Sequence, residues 1–282
     1  MIVPGSTSQA LSAALADELD EPLAEVSYER FPDGETLAAA PGFDADRAVV
    51  VAATTSNDAH VEVLQLQDAV REAGASEVIT VLPYMGYARQ ERAFEVGQPV
   101  SARAVARAVG TGADRVVLVN PHVDAVADFF GVPCDVVAAE SRLAVPLPDG
   151  LEDPLFLSPD AGAVDIAETV RDAYGRGETD YFEKTRHSGT DVEISPSDAA
   201  PSGRDVVITD DIVATGSTMS EAVAVLRERD AARVFAACVH PLLARDARTK
   251  LERAGIERIY GTDTVERDVS AVTVAPVVAD AL

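Results

Sequence analysis

Short apolar runs rich in β-branched residues alternate along the chain with segments whose apolar positions recur at helical spacing. Residues 48–53 (AVVVAA) form a continuous apolar run, as a strand covered on both faces requires. Residues 60–73 (HVEVLQLQDAVREA) follow with apolar positions three and four apart and stop at Gly74, which predicts an amphipathic helix. A strand at 77–82 (EVITVL), a helix near 101–109 and a strand at 115–119 (RVVLV) continue the alternation. The second half repeats it. It has a strand at 155–157, a helix at 163–173, a strand at 205–209 (DVVIT), a helix at 217–229 and a strand at 233–239 (RVFAACV). A helix at 246–253 and closing strands near 257–260 and 271–278 complete the chain. This order predicts an α/β fold of mainly parallel sheets flanked by helices.

Two stretches resemble each other. RAVVVAATTSNDAHVEVLQLQDAVREAGASEVITVLPY begins at Arg47, and RDVVITDDIVATGSTMSEAVAVLRERDAARVFAACVHPL begins at Arg204. Each reads as strand, polar loop, helix, strand, then Pro. The repetition predicts two similar α/β domains, residues 1–145 and 146–282. The boundary is placed in the Pro- and Gly-rich segment RLAVPLPDGLE, residues 142–152. Residues 176–204 hold few helix signals and much Gly, Ser, Thr and Asp, and read as a flap or hairpin.

Composition narrows the function classes. Apolar residues make up 47% of 282, enough for real cores in two domains. The 48 acidic residues outnumber the 23 basic ones, for a net charge of −25. Lysine occurs only at Lys184 and Lys250. Such acidity opposes binding to nucleic-acid backbones and to anionic membranes, so neither is expected as a partner. It also predicts a protein built for high salt, where a Debye length of about 3 Å at 1 M screens self-repulsion, with a merely acidic protein as the alternative that composition leaves open. Cys134 and Cys238 are too few for a disulfide framework and are expected to be reduced thiols. The N-terminal residues lack a basic region followed by an apolar core, and no apolar run approaches the ~20 residues of a membrane span. A cytoplasmic location is expected.

The strongest chemical motif is VVITDDIVATGSTM, residues 206–219. An apolar strand runs into the paired acids Asp210 and Asp211. The small-residue turn Ala214-Thr215-Gly216-Ser217-Thr218 then opens a helix. Such a turn offers backbone N–H groups and hydroxyls to an anion, and the helix N-terminus adds about +0.5 of an elementary charge. The acids beside it suit ribose hydroxyls. An ordinary strand-to-helix turn with a Ser/Thr cap competes, but adjacent carboxylates beside an anion pocket repel unless a polyol or cation is shared. Here the chain resembles the phosphoribosyl-binding loop of the type I phosphoribosyltransferase fold.

Further clusters follow predicted strands. PYMGYARQER, residues 83–92, sets Arg89, Gln90 and Arg92 on one polar loop, and arginine's planar fork suits phosphate oxygens. A solvated arginine loop is an equal alternative on spacing alone. FPDGE, residues 31–35, joins an aromatic face to Asp33 and Glu35 at a turn, and a hairpin turn with a core Phe31 is the better reading of it alone. NPHVD, residues 120–124, places His122 at a strand end, where open α/β sheets bind ligands; a lone His is more often structural, but this position favours a ligand role. SPDAG, residues 158–162, offers Asp160 at a helix start, where a capping role competes. In FEKTRHSG, residues 182–189, Lys184 and Arg186 alternate and on an extended segment would point the same way, with His187 incidental.

In this order the motifs are similar to those of the ribose-phosphate diphosphokinases, and the resemblance spans nearly the whole chain. It implies two domains of the type I phosphoribosyltransferase fold and a magnesium-dependent transfer of the β,γ-diphosphoryl group of ATP to the anomeric hydroxyl of ribose 5-phosphate. By resemblance, Phe31, Asp33 and Glu35 hold the adenine and ribose of ATP, reaching in from a neighbouring subunit of a homo-oligomer. Arg89, Gln90 and Arg92 grip the triphosphate. His122 and Asp160 support magnesium and the phosphates. Lys184 and Arg186 stabilise the transition state from a mobile flap. Asp210 and Asp211 take the ribose hydroxyls, and Ala214 to Thr218 the 5-phosphate.

The chain departs from the bacterial pattern in places. Asn120-Pro121 precede His122 where Asp-Leu is usual, Ala93 follows the loop arginine where Lys is common, and Ala214 stands for an acid. Ser217 and Ala163 stand where second glycines are found. These departures point toward archaeal members and put phosphate activation and nucleotide feedback in question. A phosphoribosyltransferase sharing only the ribose-phosphate loop should lack PYMGYARQER and the KTR segment. A non-catalytic regulatory relative should have lost Lys184, Arg186 or Asp210, and all are present.

Overall fold

The computed structural model describes residues 1–186, 192–197 and 199–282, with backbone alone for 184–186 and 192–195. The chain divides into two compact units. The first comprises residues 1–139, 263–266 and 273–282, and the second residues 140–262 and 267–272.

The first unit opens with β1 (Ile2–Pro4), α1 (Gln9–Leu19) and a hairpin of β2 (Ser27–Arg30) and β3 (Thr36–Ala39). It continues with β4 (Arg47–Val51), α2 (Asn57–Glu72), β5 (Glu77–Leu82), α3 (Ser101–Gly112), β6 (Arg115–Val119) and β7 (Cys134–Val137). Its main sheet has the order β1-β4-β5-β6-β7 and is parallel throughout. The apolar run of β4 is explained by its place. Val49 and Val50 pair with Ile2 and Val3 on one side and with Ile79 and Thr80 on the other. Ala48 to Val51 are fully buried, so a polar residue on either face would be desolvated.

Helix α2 shows why a residue pattern becomes an element. Ala59, Val63, Leu66 and Val70 recur at three and four and form the buried stripe. The hydroxyl of Ser56 accepts from the Ala59 N–H at 3.1 Å and caps the start, and Gly74 at φ +107° follows the end. Leu66 packs with Val3, Val50 and Val78. Truncating it to Ala would cost about 2–5 kcal/mol.

The second unit holds β8 (Leu155–Ser158), α4 (Val164–Tyr174), β9 (Glu178–Arg186), β10 (Val192–Pro196), β11 (Asp205–Ile212) and α5 (Ser217–Glu228). β12 (Arg233–His240), α6 (Ala247–Ala254), β13 (Arg258–Thr262) and β14 (Ser270–Val272) complete it. The sheet order is β10-β9-β8-β11-β12-β13-β14, and among the described residues only the β9–β10 edge pair is antiparallel. Leu155, Leu157, Val206, Ile208, Val234 and Ala236 face a core shared with Met219, Val223 and Leu226 of α5. The segment read as a flap or hairpin is the β9–β10 hairpin, with Lys184 opposite Ile194 and Arg186 opposite Val192. His187 lies outside the described residues.

Two expectations are corrected. The closing strand over 271–278 ends at Val272, and residues Ala275–Ala279 of the first unit form a short helix, α7. Pro276 sits in its first turn, where a missing N–H costs nothing. Phe31 is no core residue, being 37% exposed at the tip of the β2–β3 hairpin. Both cysteines are free thiols, as expected. Among the described residues no helix is long and apolar enough to cross a membrane.

Candidate active site

In the first unit the predicted residues occupy strand ends and a hairpin turn. The hairpin closes through the Phe31 N–H bonded to the Glu35 carbonyl at 2.8 Å and the Gly34 N–H to the Phe31 carbonyl at 2.9 Å. The Asp33 carboxylate accepts from the Glu35 N–H at 3.1 Å. Gly34 takes φ +97°, which only glycine adopts freely. β5 and β6 are neighbours, so the loop after Leu82 and the turn after Val119 leave the same edge of the sheet. That edge carries Arg89, Gln90 and Arg92 on the first loop and His122 on the second, where open α/β sheets take ligands. Asn120, at φ +41°, turns the chain toward His122, and its side-chain oxygen accepts from the Ala139 N–H at 2.6 Å.

The arginine loop is built on Thr54. The Thr54 N–H donates to the Tyr84 carbonyl and the Gly86 N–H donates to the Thr54 hydroxyl, each at 2.8 Å. A Cβ on Gly86 would stand 2.2 Å from the Thr54 carbonyl oxygen, so only glycine fits. Gln90 is pinned on three sides. Its N–H donates to Tyr87 at 3.0 Å, its carbonyl accepts from Ala102 at 3.3 Å, and its side-chain oxygen accepts from Ser101 at 2.5 Å. Its side-chain NH2 remains to donate. Arg89 is exposed, and Arg92 pairs with Glu91 at 3.4 Å and lies over the Phe94 ring.

The first turn of α2 serves both places. Asp58 pairs with Arg30 at the base of the hairpin, and Asn57 accepts from Tyr87 on the arginine loop. Among the described residues, no hydrogen bond or ion pair joins Phe31, Asp33 or Glu35 to Arg89, Gln90 or Arg92. A cavity of about 330 Å³ behind the hairpin is lined by Tyr28, Arg30, Ser56, Glu62 and Gln65 among others, and holds none of the predicted ATP-binding residues. The Glu62 carboxylate already accepts from the Ser6 N–H at 2.6 Å at its edge.

In the second unit β8 and β11 are neighbours, so Asp160 and the pair Asp210–Asp211 also share one sheet edge. β11 runs three residues past its expected end and carries both acids within the strand. The turn that follows is tied down mainly by backbone bonds, beside one long side-chain contact in which the Thr215 hydroxyl donates to the Ser217 hydroxyl at 3.5 Å. Val213 donates to His240 at 3.2 Å, Leu243 to Val213 at 2.9 Å, and Ala244 to Ala214 at 2.9 Å. Gly216, at φ +69°, is the N-cap of α5 and brings no capping side chain. The first amides of α5, from Ser217 and Thr218 onward, therefore keep their donors for an anion, in contrast with the capped start of α2. Asp160 does cap a turn, accepting from the Gly162 N–H at 3.0 Å, while its carboxylate stays exposed.

The electrostatics of this edge are unusual. Burial, the hydrogen bond and charge of Asp211, and the charge of Asp160 push the Asp210 carboxyl up to about 8. Near neutral pH it holds a proton. Buried Cys238, opposite Asp210 on β12, has its thiol pushed up by burial first and by the Asp210 charge second. Among the described residues no three His, Cys, Asp or Glu side chains are grouped to cage a metal. Magnesium needs only one or two carboxylates, completing its shell with waters and phosphate oxygens, and the exposed Asp160 carboxylate can supply one.

The side chains of Lys184 and Arg186 are outside what is described; their backbone lies in β9, two positions apart. Thr54, Asn57, His60 and Tyr87, which shape the arginine loop, carry no mark in the residue pattern beyond the lone histidine.

Comparison with known proteins places these features in a family. Residues 1–111 match the model for the N-terminal domain of ribose phosphate pyrophosphokinase, and residues 126–274 match the phosphoribosyl transferase domain. The chain is 62% identical over 283 residues to a ribose-phosphate pyrophosphokinase of Halobacterium salinarum, covering 100% of both. It is 42% identical over 287 residues to one of Methanopyrus kandleri, covering 100% of this chain and 98% of that protein. The crystal structure of phosphoribosylpyrophosphate synthetase from Mycobacterium smegmatis superposes with a TM-score of 0.83 at 28% identity, covering 100% of this chain and 96% of that one.

Proposed function

The chain belongs to the ribose-phosphate pyrophosphokinase family, and from that premise we propose how its residues divide the work of the reaction. The enzyme transfers the β,γ-diphosphoryl group of ATP to the anomeric hydroxyl of ribose 5-phosphate. The anomeric oxygen bonds to the β-phosphorus, the bond from that phosphorus to the α,β-bridging oxygen breaks, and AMP leaves with that oxygen. The hydroxyl proton is released, so 5-phosphoribosyl 1-diphosphate and AMP form in equal amounts.

The observation that carries the assignment is the uncapped start of α5 opened by Gly216, with Asp210 and Asp211 beside it. The amides and hydroxyls from Ala214 to Thr218 take the 5-phosphate. Asp210 and Asp211 take the ribose hydroxyls, whose donors replace the proton now shared between the acids. Arg89 and Gln90 hold the triphosphate, with Arg92 next to them, and His122 faces the same sheet edge. Phe31, Asp33 and Glu35 bind the adenosine part of ATP in a neighbouring subunit. The exposure of all four residues of β2, of Phe31 and of Leu37 supports a hairpin that docks outside its own unit.

His122 in the first unit and, separately, Asp160 in the second are each assigned to the support of magnesium and the phosphates. When bound, the cation neutralises charge on the phosphate oxygens. Phosphoryl transfer is governed by positioning and charge stabilisation, so no dedicated general base is required. Lys184 and Arg186 on β9 supply the charge that follows the migrating group. A test is AMP release that depends on ribose 5-phosphate. AMP formed equally fast without the sugar would contradict the assignment.

A further inference from the structure

The loop that carries Arg89 and Gln90 contains a residue in a conformation that its side chain disfavours. Tyr87 has φ +64°, in the left-handed region that a bulky L-residue enters only when its surroundings hold it there. Its phenol O–H donates to Oδ1 of Asn57 at 2.6 Å. Its ring packs on the imidazole of His60, with centroids 5.4 Å apart. Its carbonyl accepts from the Gln90 N–H at 3.0 Å. Asn57 and His60 stand three positions apart on α2 and so share one face.

His60 acts by shape alone. Both ring nitrogens are buried with no hydrogen-bond partner among the described residues, and burial holds the imidazole below its ordinary titration range. The ring closes on Gly86, where a Cβ would approach Nε2 to 2.9 Å. The loop is thus pressed between Thr54 and His60 one residue before it turns left-handed. Beyond the turn, Ser101 and Ala102 fix Gln90.

We propose that Asn57 and His60 are positioning residues for the triphosphate loop, clamping Tyr87 so that Arg89 and Gln90 leave the loop in the direction that ATP requires. The proposal rests on the assignment of Arg89 and Gln90 to ATP. Tyr87 is 48% exposed, so its hydroxyl contributes little to the core, and its loss is read in ATP binding rather than in folding.

The test uses the full chain in molar potassium chloride, with Asn57→Ala, Tyr87→Phe, the two combined, and His60→Ala. Loss of one hydrogen bond is expected to raise KM for ATP about 3- to 10-fold. Both kcat and KM for ribose 5-phosphate should stay within about twofold, since neither reports the aim of the loop. The combined variant should be no worse than either single change, because both remove the same bond. Calorimetric titration with magnesium-ATP alone reads the clamp without turnover. A wild-type protein that binds ATP but forms no AMP would overturn the assigned reaction and not the clamp. Unchanged ATP affinity in Asn57→Ala and Tyr87→Phe, or an equal rise in both KM values, would overturn the clamp.

Discussion

The backbone N–H of Asp211 donates to Oδ1 of Asp210 at 2.9 Å, and the two carboxyl groups are hydrogen-bonded side by side. Two acids so placed share a proton, and burial leaves it mainly on Asp210. The carboxyl value rises from its ordinary 3.8 to about 8 on folding. The sign follows from which state ionises first. Between these values the unfolded chain loses the proton and the folded chain keeps it. This group therefore stabilises the ligand-free protein fully below about pH 4, and that contribution is lost as the pH rises toward 8. Asp210→Asn removes the dependence. Its melting temperature should exceed that of the wild type by a margin that widens from pH 4 to pH 8, about 2–4 °C for each kcal/mol recovered. Its KM for ribose 5-phosphate should rise about 10- to 100-fold with the loss of the carboxylate that accepts from the ribose hydroxyls once they displace its proton. A margin that narrows with pH would contradict the shared proton.

Gly216→Ala probes the phosphate turn. The residue sits at φ +69°, and a Cβ would lie 3.2 Å from the Ala247 carbonyl oxygen. The expected cost is about 1–2 kcal/mol of stability, read by urea unfolding. A rise in KM for ribose 5-phosphate should accompany it, with KM for ATP unchanged.

Lys184→Ala separates charge stabilisation from binding. Loss of a donor used only in the transition state should lower kcat about 10²- to 10³-fold. KM for ATP should stay within about threefold. Collapse of ATP affinity with turnover preserved would contradict the role given to Lys184.

The net charge of −25 makes salt part of the stability. The Debye length falls from about 10 Å at 0.1 M to about 3 Å at 1 M, which screens the repulsion between unpaired carboxylates. The melting temperature should rise with potassium chloride over this range. A flat or falling curve would show that the ion pairs along the sheet edges, such as Arg233 with Asp205 at 2.5 Å, outweigh the repulsion.

Much of the fold is legible in the residue pattern, for physical reasons visible in particular elements. The strands at 77–82 and 115–119 lie in the middle of a parallel sheet, so burial on both faces demands unbroken apolar runs. Helix α2 announces itself by stripe, cap and terminal glycine. Edge elements are less legible. β1 is buried but only three residues long, too short for a period to show, and all four residues of β2 are exposed, so no burial constrains the pattern of β2. The run from Val272 to Val278 carries apolar residues of both helical and extended preference, and short apolar runs cannot be separated by periodicity. In the site, the acids and glycine of the phosphate turn are readable because chemistry fixes their types. The clamp on Tyr87 is not readable, because a left-handed φ in a non-glycine residue depends on contacts brought in from α2.

The most direct measurement follows the β-phosphorus of ATP. The protein, in molar potassium chloride with magnesium and ribose 5-phosphate, receives ATP labelled at that atom, and the products are separated over time. Diphosphoryl transfer predicts the label in a ribose 1-diphosphate, with unlabelled AMP appearing in equal amount. Label retained in ADP would mean that only the γ-phosphoryl group moves, and no AMP from a folded, salt-stabilised protein would mean that the transfer assigned to this chain does not occur.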